Sequence, residues 1–477
     1  MAMQEAFTFS DVLLIPQRSS ISSRKDVDTR GRISKNIFLQ VPIISSNMDT
    51  VTESTMAIAM ARCGGLGLIH RYSTIQQETE EVIRVKRAES IVIDEPYTLS
   101  PDQTVAQARE MMAHHQVGGL LVVGAAKKLL GVLTTRDLMF QNSSAKKVTE
   151  LMSKQLITGK PGIDLETAEK LLQDHKVEKL PLVEKNGTLV GLITAKDLRK
   201  RKLYPRASKD KKGRLLVGAS VGVVGDYLER TAEILKAGAD VVVVDVAHGH
   251  ADHVMKAVET IKKKWPQSEV VAGNVATYEG CRDLAAAGAD GIRVGVGPGA
   301  TCTTRIVTGS GVPQLSALLD TARITQEKDV PVIADGGIRD SGDITKALAA
   351  GASSVMLGQL LAGTEESPGW TVMKNGTKYK VYRGMASLAA NLSRKQKERG
   401  EEDLGEEEVA QIVPEGVEAM VPYRGQVEEV VRQLVGGLRS GMSYCGSKNL
   451  EELWKKAKFA RITPAGWFES KPHALEK

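Results

Sequence analysis

Eight short β-branched runs, each closing near a Gly, Asp or Asn and each followed by an Ala-rich amphipathic stretch, constrain this chain more than any other feature. They are Pro42–Ser45, Gly65–Ile69, Leu215–Gly218, Asp240–Asp245, Glu269–Gly273, Gly291–Val294, Val330–Ala334 and Ser354–Leu357. Continuous apolar runs, unlike alternating ones, belong to strands covered on both faces, the condition of an all-parallel sheet. Strands alternating with helical stretches are βα units. Eight of them predict an α/β chain closed into a (β/α)8 barrel of the TIM type. A doubly wound sheet suits the same units less well, because glycine-rich, phosphate-type loops follow the seventh and eighth runs.

Between the second and third runs the count is interrupted by an internal repeat. Val117-Gly-Gly-Leu-Leu-Val-Val, followed by Leu130-Gly-Val-Leu-Thr134-Thr-Arg-Asp137-Leu138, recurs sixty residues on. The second copy is Val177-Glu-Lys-Leu-Pro-Leu-Val, followed by Val190-Gly-Leu-Ile-Thr194-Ala-Lys-Asp197-Leu198. The preceding stretches match as well: Ala108, Met111, Met112 and His115 align with Ala168, Leu171, Leu172 and His175, with the apolar members on one helical face. Each copy reads helix, strand, strand, helix. The tandem resembles a pair of cystathionine β-synthase-type (CBS) motifs, a Bateman domain, which in that family pack as a pseudo-dimer and bind adenine or guanine nucleotides. The resemblance implies regulatory purine nucleotides, with Asp137 and Asp197 on ribose hydroxyls and Thr134 and Thr194 nearby. The expected organisation is therefore barrel over 1–90, tandem CBS insert over 91–201, and barrel again over 202–477.

Four cysteines, Cys63, Cys281, Cys302 and Cys445, are scattered and never form a C-x-x-C pair, which argues for reduced thiols and against a disulfide framework or zinc site. No run reaches the apolar length a bilayer requires, and Met1–Ser10 has no charged segment followed by an apolar one, so no membrane role and a cytoplasmic location are expected. The net charge of +6 is spread over helical faces and linkers with few aromatics between the lysines. Small phosphorylated ligands explain it better than nucleic acid.

In a barrel of this type the chemistry gathers just after the strands. The sixth run leads into Gly295-Val-Gly297-Pro-Gly299-Ala-Thr-Cys302-Thr-Thr304-Arg305. Glycines there free the backbone to present amides or carbonyls to a ligand, and the one nearby thiol follows at once, making Cys302 the candidate nucleophile. A dinucleotide fingerprint would need a following helix and a later acidic residue, so G-x-G-x-x-G is not the reading. A plain turn is the remaining alternative. After the seventh run come Asp335-Gly336-Gly337 and after the eighth Gly358-Gln359, places where backbone N–H groups converge on a phosphate. Asp335 is placed to hold ribose hydroxyls. The three histidines of Asp245-Val-Ala-His248-Gly-His250-Ala-Asp-His253 fit a solvated or cofactor-facing loop better than a metal site, since no second ligand cluster accompanies them.

Together with Phe9-Ser-Asp-Val-Leu-Leu-Ile-Pro16, Ser45-Ser-Asn-Met48-Asp, Tyr382-Arg-Gly384-Met385 and Val413-Pro-Glu415-Gly416, these motifs resemble the inosine monophosphate (IMP) dehydrogenase and guanosine monophosphate (GMP) reductase family over essentially the whole chain. The resemblance implies a Cys302 thiolate attacking purine C2, with Thr304 and Glu366 as its proton relay. It implies that Ser46, Met48, Asp335, Gly336, Gly337, Gly358, Gln359, Tyr382, Gly384, Met385 and Glu415 hold the nucleotide. Asp245, Asn274, Arg293 and Gly295 would face the dinucleotide. A monovalent cation, K+, would sit on carbonyls of Gly297, Gly299 and Cys302 in the loop 295–311, with Glu469 of a neighbouring subunit in a homotetramer or homo-octamer.

Two departures from the family pattern stand out. Ala300 replaces the usual Ser two places before the nucleophile, and the flap, 386–422, lacks the Arg-Tyr pair with which the family's dehydrogenases activate water. From Ser387 to Pro422 there is no tyrosine, and Arg394 and Arg399 lie in a charged stretch whose simplest form is a solvated loop. Asp245-Val-Ala, Pro313-Gln-Leu-Ser-Ala317 and the Arg-Gly-Met-Ala segment also look like the reductase branch. The resemblance thus implies NADPH-dependent reduction of GMP to IMP and ammonia. The alternative is NAD-dependent oxidation of IMP, and a third class is a nucleotide-sensing protein without catalysis, against which Cys302, Thr304 and Glu366 all speak.

Overall fold

A computed structural model describes residue 3 and residues 5–89, 92–141, 143–399, 409 and 412–472. Eight parallel strands close a barrel: β1 (Ile43–Ser45), β2 (Leu66–Ile69), β3 (Gly218–Val221), β4 (Val241–Asp245), β5 (Glu269–Val275), β6 (Gly291–Val294), β7 (Val332–Asp335) and β8 (Ser354–Leu357), with β8 pairing back onto β1. Their residues are apolar on both sides because one set fills the barrel and the other meets the helices. Ile44, Leu66, Leu68, Val241, Val243, Val271, Ile333 and Met356 form the inner cluster, plugged from the strands' N-terminal end by Ile33 and Leu39. The outer set joins the helices in the main core.

The helical ring runs α1 (Ser54–Arg62), α2 (Ile75–Ala88), α3 (Tyr227–Ala237), α4 (Asp252–Lys264), α5 (Tyr278–Ala286), α6 (Gln314–Thr321), α7 (Ser341–Ala349) and α8 (Val427–Tyr444). α2 packs directly on α3 although the insert separates them in sequence, and α8 packs on both α7 and α1, closing the ring. The third strand differs from expectation: the apolar run begins at Leu215, but pairing with β4 begins at Gly218, opposite Val241. Leu215–Val217 are apolar for another reason. Leu215 and Val217 are fully buried, while the amide of Leu216 donates to the carbonyl of Ser208 at 2.9 Å in a small antiparallel return. Buried Lys86 pins that return, reaching Asp210 (3.1 Å), Asp240 (2.6 Å) and the Leu215 carbonyl (2.9 Å).

The chain divides into two units: Met1–Ala88, Arg206–Asp210 and Leu215–Lys477 form the barrel, and Glu89–Pro205 with Lys211–Arg214 form the other; Ile91, the expected start of the insert, lies outside the described residues. The second unit holds two like halves. Helix Val105–His114, hairpin Gly119–Val123 with Leu129–Thr134 and helix Thr135–Leu138 correspond to Leu165–Asp174, Lys179–Val183 with Leu189–Thr194 and Ala195–Leu203. Equivalent residues share burial: Ala108 with Ala168, Met112 with Leu172, Leu120 with Leu180, Leu138 with Leu198. This is the tandem CBS architecture inserted in a TIM barrel. No helix among the described residues is long and apolar enough to cross a membrane.

Candidate active site

The C-terminal ends of the strands surround a cavity of about 800 Å3. It is within the size range of cofactor and small-molecule sites. All of the residues expected to hold nucleotide and dinucleotide line it: Ser46, Met48, Asp335, Gly336, Gly337, Gly358, Gln359, Tyr382, Gly384, Met385 and Glu415, and Asp245, Asn274, Arg293 and Gly295. Gly295 carries φ +152°, and a Cβ there would fall 2.0 Å from the carbonyl oxygen of Asp335, so only glycine lets the strand-six loop pass beneath the strand-seven loop. A Cβ on Gly358 would meet the Tyr382 hydroxyl at 2.8 Å; the ring thus stands directly over the turn after β8. Burial pushes that phenol up to about 12.

Cys302 opens onto the cavity from the loop after β6. Its thiol donates to Thr304 Oγ1 at 3.2 Å, and Thr304 Oγ1 donates to Glu415 Oε2 at 2.7 Å. Backbone pairing makes this possible: Thr303 N–H donates to the Glu415 carbonyl (2.8 Å), Val417 N–H to Thr301 O (2.9 Å), and Cys302 bridges Gly416. The expected relay partner, Glu366, stands elsewhere. Its carboxylate accepts the amide of Val427 at 2.8 Å and caps α8. The correction has a simple cause: Glu366 and Glu415 both follow β8, and only the antiparallel return of the Pro-Glu-Gly segment along Cys302 decides which one reaches Thr304. Burial pushes Cys63 up to about 12, and it also raises Cys281 and Cys445, so these thiols stay protonated.

Deeper in the mouth, Arg293 at the end of β6 bridges two carboxylates, Asp245 Oδ1 at 2.6 Å and Asp335 Oδ2 at 2.7 Å. Asn274 adds a second bond to the same Asp335 oxygen (2.8 Å) and one to the Gly295 carbonyl (2.9 Å). Burial alone would raise Asp245, but Arg293, Arg71 and hydrogen bonds from Arg293 and Asn47 outweigh it and hold the carboxyl below its usual value. Burial would likewise lower Arg293, and the two carboxylates together carry it upward instead. Three residues not anticipated also shape the mouth. Gln314 donates to Val294 O (2.8 Å), Arg305 to Val312 O (2.6 Å), and Tyr72 to the Met385 carbonyl (2.8 Å). Only the run Pro313-Gln and the loop arginine gave any signal for the first two, and nothing in the sequence flagged Tyr72.

Among the described residues no cluster of three or more His, Cys, Asp or Glu forms a metal site, and His250 is bonded to Asp283 at 2.9 Å. Gly297 and Gly299 line the cavity with Cys302, but the Gly299 carbonyl already accepts the Cys302 amide at 3.1 Å and Glu469 is exposed on helix Pro464–Glu469. In the second unit, Thr134 and Asp137 form a helix-capping box, the Asp137 carboxylate accepting from the Thr134 amide and hydroxyl at 2.7 Å each. In the other half the Thr194 hydroxyl donates to the Asp197 carboxylate and accepts from the Asp197 amide at 3.2 Å. The side chains of Arg394 and Arg399 lie outside the described residues.

A TIM barrel with a tandem CBS insert, a loop thiol coupled to a hydroxyl and a carboxylate, and a deep cavity beside it defines an NAD(P)-dependent purine nucleotide oxidoreductase. The chain belongs to the IMP dehydrogenase / GMP reductase family, whose domain matches residues 6–473. It is 51% identical to an inosine-5'-monophosphate dehydrogenase of Nitrosopumilus maritimus over 99% of both chains. It is 53% identical to the one of Aquifex aeolicus, over 99% of this chain and 96% of that one. Among solved structures, a cysteine-to-alanine GMP reductase of Trypanosoma brucei in complex with GMP superposes with a TM-score of 0.93 at 44% identity, covering 100% of this chain and 99% of that one.

Proposed function

We propose that this protein is a GMP reductase, converting GMP to IMP and ammonia at the expense of NADPH. The observation that supports it best is a proton chain, Cys302 to Thr304 to Glu415, in a chain with no Arg-Tyr pair between Ser387 and Pro422. Hydrolysis of a covalent purine adduct needs a base to activate water, and such a base is worth about two to four powers of ten in rate. Reduction needs none. The GMP-bound reductase of T. brucei covers the full length of this chain, so the insert is compatible with that activity.

In this reading Asp335 holds the ribose and the glycine turns after β7 and β8 hold the phosphate. Cys302 gives its proton to Glu415 through Thr304 and bonds to C2 of the purine. Glu415 returns the proton through Thr304 to the 2-amino group, which leaves as ammonia while the C2–S bond persists. A bound dinucleotide would supply hydride to C2; Cys302 leaves C2 as the thiolate and regains a proton from solvent. The far end of the cavity suits that cofactor: Asn274 Oδ1 is buried there with no hydrogen-bond partner, an acceptor ready for a carboxamide N–H.

A second reading, NAD-dependent IMP oxidation, is favoured by the names of the roughly half-identical relatives. Turnover of both substrate pairs by one preparation decides between them. GMP-dependent NADPH oxidation with ammonia release is expected to be the faster; sustained and faster IMP oxidation with NAD overturns the proposal. The reading extends to purine nucleotides at the CBS halves. It also extends to a cytoplasmic homotetramer or homo-octamer, with K+ on the Cys302 loop.

A further inference from the structure

At the opposite end of the barrel, beside the segments leading into β1 and β2, lies a second cavity of about 220 Å3. Its lining includes Lys25, Asp26, Asp28, Gln40, Arg206 and Arg439. We propose that it is a binding site for a small phosphate-bearing anion, gripped by Arg206, Arg439 and Lys25 and separate from the nucleotide site at the mouth.

Charge is the first support. Three cations line the space against two carboxylates, and Asp28 is already committed to Arg30 through bonds of 2.6 and 2.8 Å. Arg439, on α8, has its Nε buried without a hydrogen-bond partner, and an unmade bond of that kind is costly unless a ligand supplies the acceptor. Burial and, next, the charge of Arg206 press Arg439 toward losing its proton, and the charge of Asp28, shared with Arg30, offsets them only in part. Forked guanidiniums match the oxygens of a phosphate. The wall is also closely built: Gly64 has φ +91°, and a Cβ there would stand 2.9 Å from both the Arg206 carbonyl and the Gln40 Cβ.

Position gives the site a consequence. Arg206 is the first barrel residue after the insert, and Ser208 is tied to the Ala61 carbonyl at 2.8 Å. An anion held by Arg206 and Arg439 fastens the returning chain to α8.

The test uses the full chain saturated with GMP and without cofactor, so that the mouth is filled. Titration calorimetry with inorganic phosphate and, separately, with ribose 5-phosphate is expected to show binding that the Arg206→Gln/Arg439→Gln double variant weakens by about tenfold or more. Tighter binding of ribose 5-phosphate assigns the site to a phosphorylated metabolite, and equal binding to free phosphate. The unliganded double variant is expected to melt no lower than the parent and to turn over GMP at the same rate in phosphate-free buffer. No heat from the parent protein, or undiminished binding by the double variant, overturns the proposal; so does a variant that melts lower and still binds phosphate, which leaves the arginines a structural role only.

Discussion

The hydroxyl of Thr304 donates to Glu415 Oε2 at 2.7 Å while accepting from the thiol of Cys302, so a thiol and a carboxylate far apart in sequence are joined by one hydrogen-bonded path. The path is short and partly buried, and in the proposed reaction it makes Glu415 the group that both receives the thiol proton and returns it.

Glu415→Gln keeps the size of the side chain and removes its basicity. Turnover is expected to fall by about two to four powers of ten with little change in the KM for GMP. Glu366→Ala behaves oppositely: turnover stays near the parent value, and the lost cap on α8 lowers stability by about 1 kcal/mol. Steady-state kinetics and thermal melting on both variants separate the two carboxylates, and a Glu366→Ala enzyme as slow as Glu415→Gln contradicts the relay.

Cys302→Ala is expected to abolish turnover while GMP still binds, because the cavity-lining residues proposed to hold the nucleotide lie on other loops. Calorimetry alongside the assay measures both; appreciable residual turnover removes Cys302 as the nucleophile.

Arg293→Met strips two largely buried carboxylates of their shared partner. Breaking such a triad costs on the order of 3 kcal/mol, seen as a lower denaturation midpoint. Asp245 sits below its unfolded value in the parent, so its contribution to stability is present above about 3.8 and is lost only as the pH falls through its lower folded value. In the variant that loss moves to higher pH. An unchanged acid transition shows that Arg293 does not hold Asp245 charged.

Glu78 supplies the opposite pH dependence. It is fully buried on α2, and burial pushes it up to about 8 despite Arg230 at 2.6 Å and the amide of Ser220. Its folded value stands above the 4.5 of a free carboxyl, so its contribution is complete below about 4.5 and fades as pH rises through about 8. Melting temperature is expected to decline between pH 6 and 9 in the parent and to decline less in Glu78→Gln; parallel profiles argue that Glu78 is ionised throughout.

Much of this molecule was legible before any coordinate. Eight apolar runs determined the barrel because strands covered on both faces have no polar alternation to offer, and the repeated positions from Ala108 to Leu198 determined two like halves because burial depends on helical and strand periods that are local. The loop around Cys302 was equally plain, since its glycines and thiol are contiguous. What the tertiary structure alone decided are the pairings across the closed ring. The start of β3 at Gly218 was set by register with β4, which a run of leucines and valines cannot specify. Thr134 and Asp137 form a capping box, in which helix geometry turns the Asp137 carboxylate back on the Thr134 amide, and Thr194 bonds Asp197 through its hydroxyl at the start of the matching helix. Arg293 meets Asp245 and Asp335 because barrel closure brings three strand ends to one spot, and Glu415, not Glu366, reaches Thr304 because a returning segment pairs with the Cys302 loop. Such contacts follow from chain closure over long separations, where local periodicity carries no information.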